Sequence, residues 1–355
     1  MTQRIEFLER LLNAPGPSGF EVEPARVWRG EAAGFAHEVW ADVSGNSMAV
    51  VNPAGKPRVM MAGHIDEIGL QVTHVDEAGF LFVDEIGGWD AQVLVGQRVR
   101  VLGSRGVVPG VTGKKPIHLL KKDERDKATK TRDLWVDVGA AGAEEVAALG
   151  VRVGDPIVLD AGLLRLAGDR IVSRAMDNRI GAYVVLEALR QLADEPPGAS
   201  ALAVATVQEE IGYLGGGARS SAFALKPDVA LVVDVTFSTD VPDIEKKELG
   251  EHKLGGGPVL SRGSSNHPLV VQRLVEAAEA EDIRYTLQAA PRSTRTDADA
   301  IHLVRVGVPT GLVSVPSRYM HSPNEMVSLA DLQSAARLLA AFVRRLDPDA
   351  DFTPG

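Results

Sequence analysis

The chain has 355 residues, 48 acidic and 38 basic, a formal charge of −10 and no cysteine. Hydrophobic residues make up 45% and charged residues 24%, the balance of a soluble globular protein with a substantial core. The acidic surplus argues against nucleic acid or an anionic membrane as partner, and the lack of cysteine excludes disulfides, thiolate nucleophiles and thiolate-ligated metals.

No stretch approaches 18 uncharged apolar residues, so no transmembrane helix is expected. The opening MTQRIEFLERLL lacks a long apolar core with a small-residue cleavage site. A cytoplasmic location is the expectation. The length suggests two domains, or one large domain with an insert.

Ile5, Leu8, Leu11 and Leu12 recur at helical spacing, and APGPSGFE (Ala14 to Glu21) breaks that helix. A second helix is predicted over 24–33, then short strands over 38–43 and 47–52. Val59 to Ala62 reads as a buried strand, ending in a glycine followed by His64 and Asp66. From Gln71 to Asp160 the text changes to short strand patterns and glycine turns, with one brief helix over 143–148. Within it, Lys114 to Asp133 is a charge run. Asp123, Glu124, Asp126 and Asp133 dilute its positive charge, so it reads as a solvated loop. After Ser173, helices alternate with apolar strands: helix 180–192, strands 201–207 and 229–235, helix 269–280, strand 310–315 and helix 329–346. That alternation predicts an α/β domain with a largely parallel sheet. The predicted division is a catalytic α/β domain over 1–70 and 163–355, with a β-rich module inserted at 71–162. The tail DPDADFTPG reads as frayed.

The informative pattern is where His, Asp and Glu fall. His64 and Asp66 follow one predicted strand, Glu209 and Glu210 close a second, Asp234 closes a third, and His321 follows a fourth. Asp177 lies just before a helix. In open α/β sheets ligands bind beyond the carboxyl ends of strands. Taken singly, each residue is ordinary: a structural histidine, a turn aspartate, a solvated glutamate. Together they predict a metal site of imidazole and carboxylate, suited to zinc, cobalt or manganese. Two histidines and three or four carboxylates exceed the needs of one catalytic ion and suit a pair of ions with a bridging carboxylate. One of Glu209 and Glu210 can ligate while the other serves as general base. Asp66, two residues from His64, can orient that imidazole.

No GxSxG elbow and no HExxH occurs, and His37, His74, His118, His252, His267 and His302 have no comparable context. The glycine runs Gly215 to Gly217 and Gly255 to Gly257 lack a nucleotide-binding pattern and read as tight turns near a substrate channel.

The stretches AGHIDEIGL, SRAMDNRIGAY, VQEEIGYLGG, VVDVTFSTDVP, LGGGPV, TDADAIH and RYMHSPNE, in this order, resemble the M42 metallo-aminopeptidases, the glutamyl and tetrahedral (TET) aminopeptidase group. The likeness runs from APGPSGFE to RYMHSPNE. It implies a mixed, largely parallel sheet with helices on both faces, and an inserted PDZ-like or barrel-like oligomerisation domain. It implies two divalent ions per subunit, zinc first and cobalt or manganese as alternatives. Asp177 would bridge them, His64 and Asp234 would hold one, and Glu210 and His321 the other. Glu209 would be the general base and Asp66 the carboxylate behind the ligands. It further implies N-terminal trimming of short peptides, and self-association into dimers and dodecamers.

The chain departs from the family pattern where a glycine is expected before the threonine of STRTDADAIH: Arg295 stands there, and Asp299 replaces a second small residue. Three other readings remain. One is an M20-type carboxypeptidase or amide hydrolase, although its smaller domain follows the Glu-Glu motif, whereas here the long gap lies between Asp66 and Asp177. The others are a metal-free glycosidase and a non-catalytic peptide-binding scaffold.

Overall fold

The computed structural model describes residues 2–212 and 216–354. Helices Thr2–Asn13 and Val22–Ala32 precede β1 (Glu38–Ala41), β2 (Ser47–Val51) and β3 (Arg58–His64). Six strands follow: β4 (Gly69–Val75), β5 (Leu81–Ile86), β6 (Arg98–Gly103), β7 (Gly106–Gly113), β8 (Trp135–Asp137) and β9 (Pro156–Leu159). After β10 (Leu164–Arg165) and β11 (Arg170–Ser173) comes helix Met176–Asp194. Then come β12 (Ser200–Thr206), helix Gly216–Leu225 and β13 (Val229–Phe237). The last part holds β14 (Val259–Arg262), helix Pro268–Ala280, β15 (Thr286–Ala289), helix Asp297–Ile301, β16 (Thr310–Ser317), β17 (Glu325–Ser328) and helix Leu329–Arg344.

Eight strands form one sheet in the order β1-β2-β12-β3-β13-β16-β14-β15. Its centre, β12-β3-β13-β16, is parallel, while β2 runs antiparallel to both neighbours and β14 antiparallel to β16. Side chains alternate across it. Val59 and Met61 of β3 pack among helices 2–13, 176–194, 268–280 and 329–344 on one face. Met60 and Ala62 face helices 216–225 and 297–301 on the other. The strands β4-β5-β8-β7-β6-β9 close into a barrel with its own core of Leu70, Val72, Leu81, Val99, Val136 and Ile157. The α/β architecture with an inserted β-barrel is thus the one the sequence predicts.

Several elements escape sequence reading. β14 and β15 are four residues each, too short for a clear apolar pattern, and β15 is the terminal strand of the sheet. Helix Gly216–Leu225 (GGARSSAFAL) is rich in glycine and serine, poor helix formers held here by packing of Ala218, Ala222 and Leu225. Helix Met176–Asp194 opens on the buried polar run Asp177-Asn178-Arg179, where Asp177 and Asn178 have non-helical backbone, so its regular turns begin close to the expected Ile180. The segment 114–133 is largely exposed, as expected, and carries an Asp123–Lys127 pair. Of the run Gly215 to Gly217, Gly215 lies outside the described residues.

Arg179 joins the N-terminal helix to the start of the barrel. It is fully buried. Its guanidinium donates to the carbonyls of Leu11, Leu12, Ala14, Gly16 and Ile65 and to Glu67 Oε1 at 2.8 Å. It therefore satisfies the last carbonyls of helix Thr2–Asn13, which have no partner within the helix. Glu67 also pairs with Arg174, whose other nitrogen donates to Asn13 O at 3.1 Å. Asp331, also buried, accepts the amides of Gly255 at 2.7 Å and Gly257 at 2.8 Å and so holds the glycine turn before β14.

Arg179→Ala leaves Glu67 one cation short and five carbonyls without their donor, and should destabilise the fold by about 3–5 kcal/mol in urea unfolding. Lysine in its place should restore little, because it lacks the planar fork. Burial pushes the Asp331 carboxyl up from 3.8 to about 6. A carboxyl raised on folding contributes stability that is fully present below pH 3.8 and is lost as pH rises through about 6. Relative to Asp331→Asn, the wild type should therefore lose about 3 kcal/mol between pH 4 and pH 7, read from urea unfolding at both.

Candidate metal centre

β3 ends on His64, and its neighbour is helix 176–194. The two approach closely because both have glycine at the contact: a Cβ on Gly63 would lie 2.4 Å from the Gly181 backbone. The first residues of that helix are held in place by hydrogen bonds. Asn178 Nδ2 donates to Val233 O at 2.7 Å, its Oδ1 accepts Gly181 N–H at 3.0 Å, and Asp177 N–H donates to Glu325 Oε2 at 3.0 Å. Asp177 thereby sits between the two predicted histidines. His64 Nε2 lies 3.2 Å from its Oδ1, and His321 Nε2 lies 3.4 Å from its Oδ2.

Asp234 Oδ1 is 3.9 Å from His64 Nε2, and Glu210 Oε2 is 3.5 Å from His321 Nε2. Donor atoms of His64, Asp177 and Asp234 all fall within 4.8 Å of one another, and so do those of Asp177, Glu210 and His321. Asp177 is common to both groups. Glu209 belongs to neither; its Oε2 is 3.7 Å from His64 Nε2. Among the described residues no other histidine enters such a group.

One expected position needs correction. Asp234 does not close its strand: β13 continues through Thr236 and Phe237, paired to Pro316 and Ser317 of β16. Pairing to β3 stops at Val232–Ala62, so Asp234 lies beyond that ladder while still inside its own strand. The β-branched Val235 and Thr236 continue the strand. Glu209 and Glu210 lie in the loop after β12, which ends at Thr206.

Asp66 supports the loop as well as the imidazole. Its Oδ1 is 3.2 Å from His64 Nδ1 and accepts Glu209 N–H at 3.2 Å, while its Oδ2 accepts Glu210 N–H at 3.1 Å and the Ser18 hydroxyl. Glu21 accepts Gln208 N–H at 3.1 Å, so the APGPSGFE segment helps hold the Glu-Glu loop. His321 Nδ1 faces the carbonyl of Gly88, 2.8 Å away in the segment after β5. Both imidazoles thus turn Nε2 toward Asp177; His321 Nδ1 meets the Gly88 carbonyl, while His64 Nδ1 lies near Asp66 Oδ1 without a hydrogen bond among the described residues, which leaves both Nε2 atoms placed to meet a cation.

Charge is crowded here. Burial, with repulsion from neighbouring carboxylates, pushes the Glu209, Glu210 and Asp234 carboxyls up. Burial would lower His321, but Asp177 and Glu210 outweigh it and push the imidazole up to about 11. Burial would raise Asp177, but hydrogen bonds from His321 and His64 hold it far below the usual carboxylate range. Glu210 Oε1 is buried without a hydrogen-bond partner among the described residues. An acceptor left bare in a crowd of carboxylates and imidazoles fits divalent cations, which would neutralise the crowding and fill that coordination. The cluster forms one wall of a cavity of about 1300 Å³.

Two acidic residues were missed. Glu325 is buried and accepts both Asp177 N–H and, at 2.8 Å, His321 N–H. Asp297 is buried and takes the Thr206 hydroxyl; burial pushes its carboxyl up to about 6. The available signal for Glu325 was its place four residues after His321, within reach of that residue's own amide. Glu325→Ala would leave two buried amides without acceptors, and should cost about 2–4 kcal/mol in denaturant unfolding of the metal-free protein.

Residues 45–338 match the family described as M42 glutamyl aminopeptidase. The lysyl aminopeptidase of Pyrococcus furiosus is 36% identical, over 98% of this chain and 99% of its own. A TET aminopeptidase structure from the marine sediment archaeon Thaumarchaeota archaeon SCGC AB-539-E09 superposes with a TM-score of 0.92 at 36% identity, covering 98% of this chain and 97% of its own. The TET1 peptidase of Pyrococcus horikoshii, which can assemble into a tetrahedron or a large octahedral shell, superposes at 0.85 with 29% identity, over 97% of this chain and 100% of its own. Sequence, fold and the cluster of metal-type donors converge, and the chain belongs to the M42 family of aminopeptidases.

Proposed function

We propose that this protein removes the N-terminal residue from short peptides with two divalent ions, zinc first and cobalt or manganese as alternatives. One observation carries the reading: Asp177 offers one carboxylate oxygen to each of two histidines, each histidine having a further carboxylate beside it. His64, Asp234 and Asp177 would hold one ion, and Glu210, His321 and Asp177 the other. Ions in such a site lower the pKa of a shared water and polarise a carbonyl oxygen.

The chain's own residues supply the rest. Glu209 stands at the cavity beside the ligand groups without belonging to them. Its carboxylate takes the proton of the attacking water at Oε2 and returns it to the departing amine. Asp66 fixes that glutamate's backbone and faces His64 Nδ1. The cavity is large enough to admit a peptide end.

We further propose the division into a catalytic domain, 1–70 and 163–355, and an oligomerisation domain, 71–162. Dimers, and dodecamers like the closed shells of relatives, follow from that second role. Among the described residues no helix is long and apolar enough to cross a membrane. We propose a cytoplasmic location as well.

Chelation should abolish release of the first residue from a tripeptide, and zinc, cobalt or manganese should restore it, with about two ions per chain by elemental analysis. Glu209→Gln should keep both ions and lose about 10²–10⁴ in kcat. Full activity in that variant removes Glu209 from its role; release of the C-terminal residue instead would make the protein a carboxypeptidase.

A further inference from the structure

Arg295 and Asp299, where the resemblance led us to expect small residues, are joined in space. Arg295 has φ +56°, the left-handed region that glycine enters freely and a residue with a Cβ enters at a cost. Asp299 holds it there. Its Oδ2 accepts Arg295 N–H at 2.8 Å, and its Oδ1 accepts the hydroxyls of Thr294 at 2.8 Å and Ser265 at 3.0 Å. Glycine would take this backbone shape unaided. A strained position that is clamped and still carries a long cationic side chain points to a use for that side chain.

Arg295 lines the same cavity as the metal cluster. So do Arg292 and Arg219, and all three are exposed. None of the three guanidinium groups has an ion-pair partner among the described residues. The only acidic residue lining the cavity outside the cluster, again among the described residues, is Asp299, which is occupied by the loop itself. On a chain with a net charge of −10, an unpaired cationic wall facing the substrate space is unusual.

We propose that Arg295, with Arg292 and Arg219, is the specificity wall of this cavity, and that it selects peptides bearing a carboxylate in addition to the free amino terminus. The proposal rests on the aminopeptidase reading and deepens it. A guanidinium fork matches a carboxylate with two parallel hydrogen bonds, and it gives no such match to an amide or an ammonium. The carboxylate comes either from an acidic side chain or from the C-terminus of a short substrate.

Three peptides separate these sources: Ala-Ala-Ala-amide, Ala-Ala-Ala with a free C-terminus, and Glu-Ala-Ala-amide. For the metal-loaded enzyme, kcat/KM for at least one carboxylate-bearing peptide should exceed that for the neutral amide by about tenfold. Preference for the free acid assigns the wall to the C-terminus, and preference for the glutamyl peptide assigns it to a side chain. The gap should shrink as salt is raised. It should fall about fivefold or more in Arg295→Gly and in Arg292→Ser, through KM rather than kcat. Arg295→Gly relieves the backbone strain, so its thermal midpoint should be no lower than that of the wild type, which separates loss of selectivity from misfolding. Calorimetric binding of the same peptides to Glu209→Gln reads selection without turnover. If no peptide is hydrolysed, the reaction assignment fails while carboxylate-dependent binding can still stand. Equal use and equal binding of all three peptides, or a gap that survives both arginine substitutions, overturns the wall.

Discussion

Several carboxylates crowded into a water-poor site cannot all stay charged unless something positive joins them, and the arrangement of this molecule follows from that constraint. Asp177, Glu209, Glu210 and Asp234 share one wall with two imidazoles, while Glu325 and Asp297 lie buried nearby. Backbone amides and a hydroxyl absorb part of the charge: Glu325 takes two amides, Asp66 takes two amides and the Ser18 hydroxyl. What stays unpaired faces the cavity. That division separates the carboxylates that brace the loops from those left free to meet cations.

The fold creates the crowding by bringing elements from distant parts of the chain together. Parallel central strands deliver His64, Asp234 and the loops of Glu209-Glu210 and His321 to one end of the sheet, and Gly63 against Gly181 lets a helix bring Asp177 to the same end. Elements distant in sequence then tie that end down. The N-terminal turn reaches it through Ser18 and Glu21, and the inserted barrel reaches it through the Gly88 carbonyl on His321. The barrel is therefore part of the environment of one imidazole, whatever it also does in assembly.

The rest of the cavity lining follows other rules. Relatives that share the scaffold bear the names lysyl and glutamyl aminopeptidase, so membership of the family leaves the choice of substrate open. Loop residues such as Arg292 and Arg295 can change without disturbing the sheet that sets the metal-type donors. The Asp299 clamp illustrates this: two residues that look unrelated in the sequence, Arg295 and Asp299, form one local structure.

The α/β alternation and the β-rich insert were legible in the sequence, and so were the five residues whose donor atoms gather into two groups, His64, Asp177, Glu210, Asp234 and His321. Apolar periodicity reports burial directly, and His, Asp and Glu next to strand ends are few enough to single out. Sequence also carried the motif order that resembles the family. Tertiary structure alone decided that Asp234 lies within its strand, because only pairing to β16 shows that β13 continues. It alone gave Glu325, Asp297 and Arg179 their places, because a buried charged side chain looks like a surface one until its partners are brought to it from far along the chain. It alone joined Arg295 to Asp299, since a positive φ and a hydrogen bond across a turn leave no periodic trace in the order of residues.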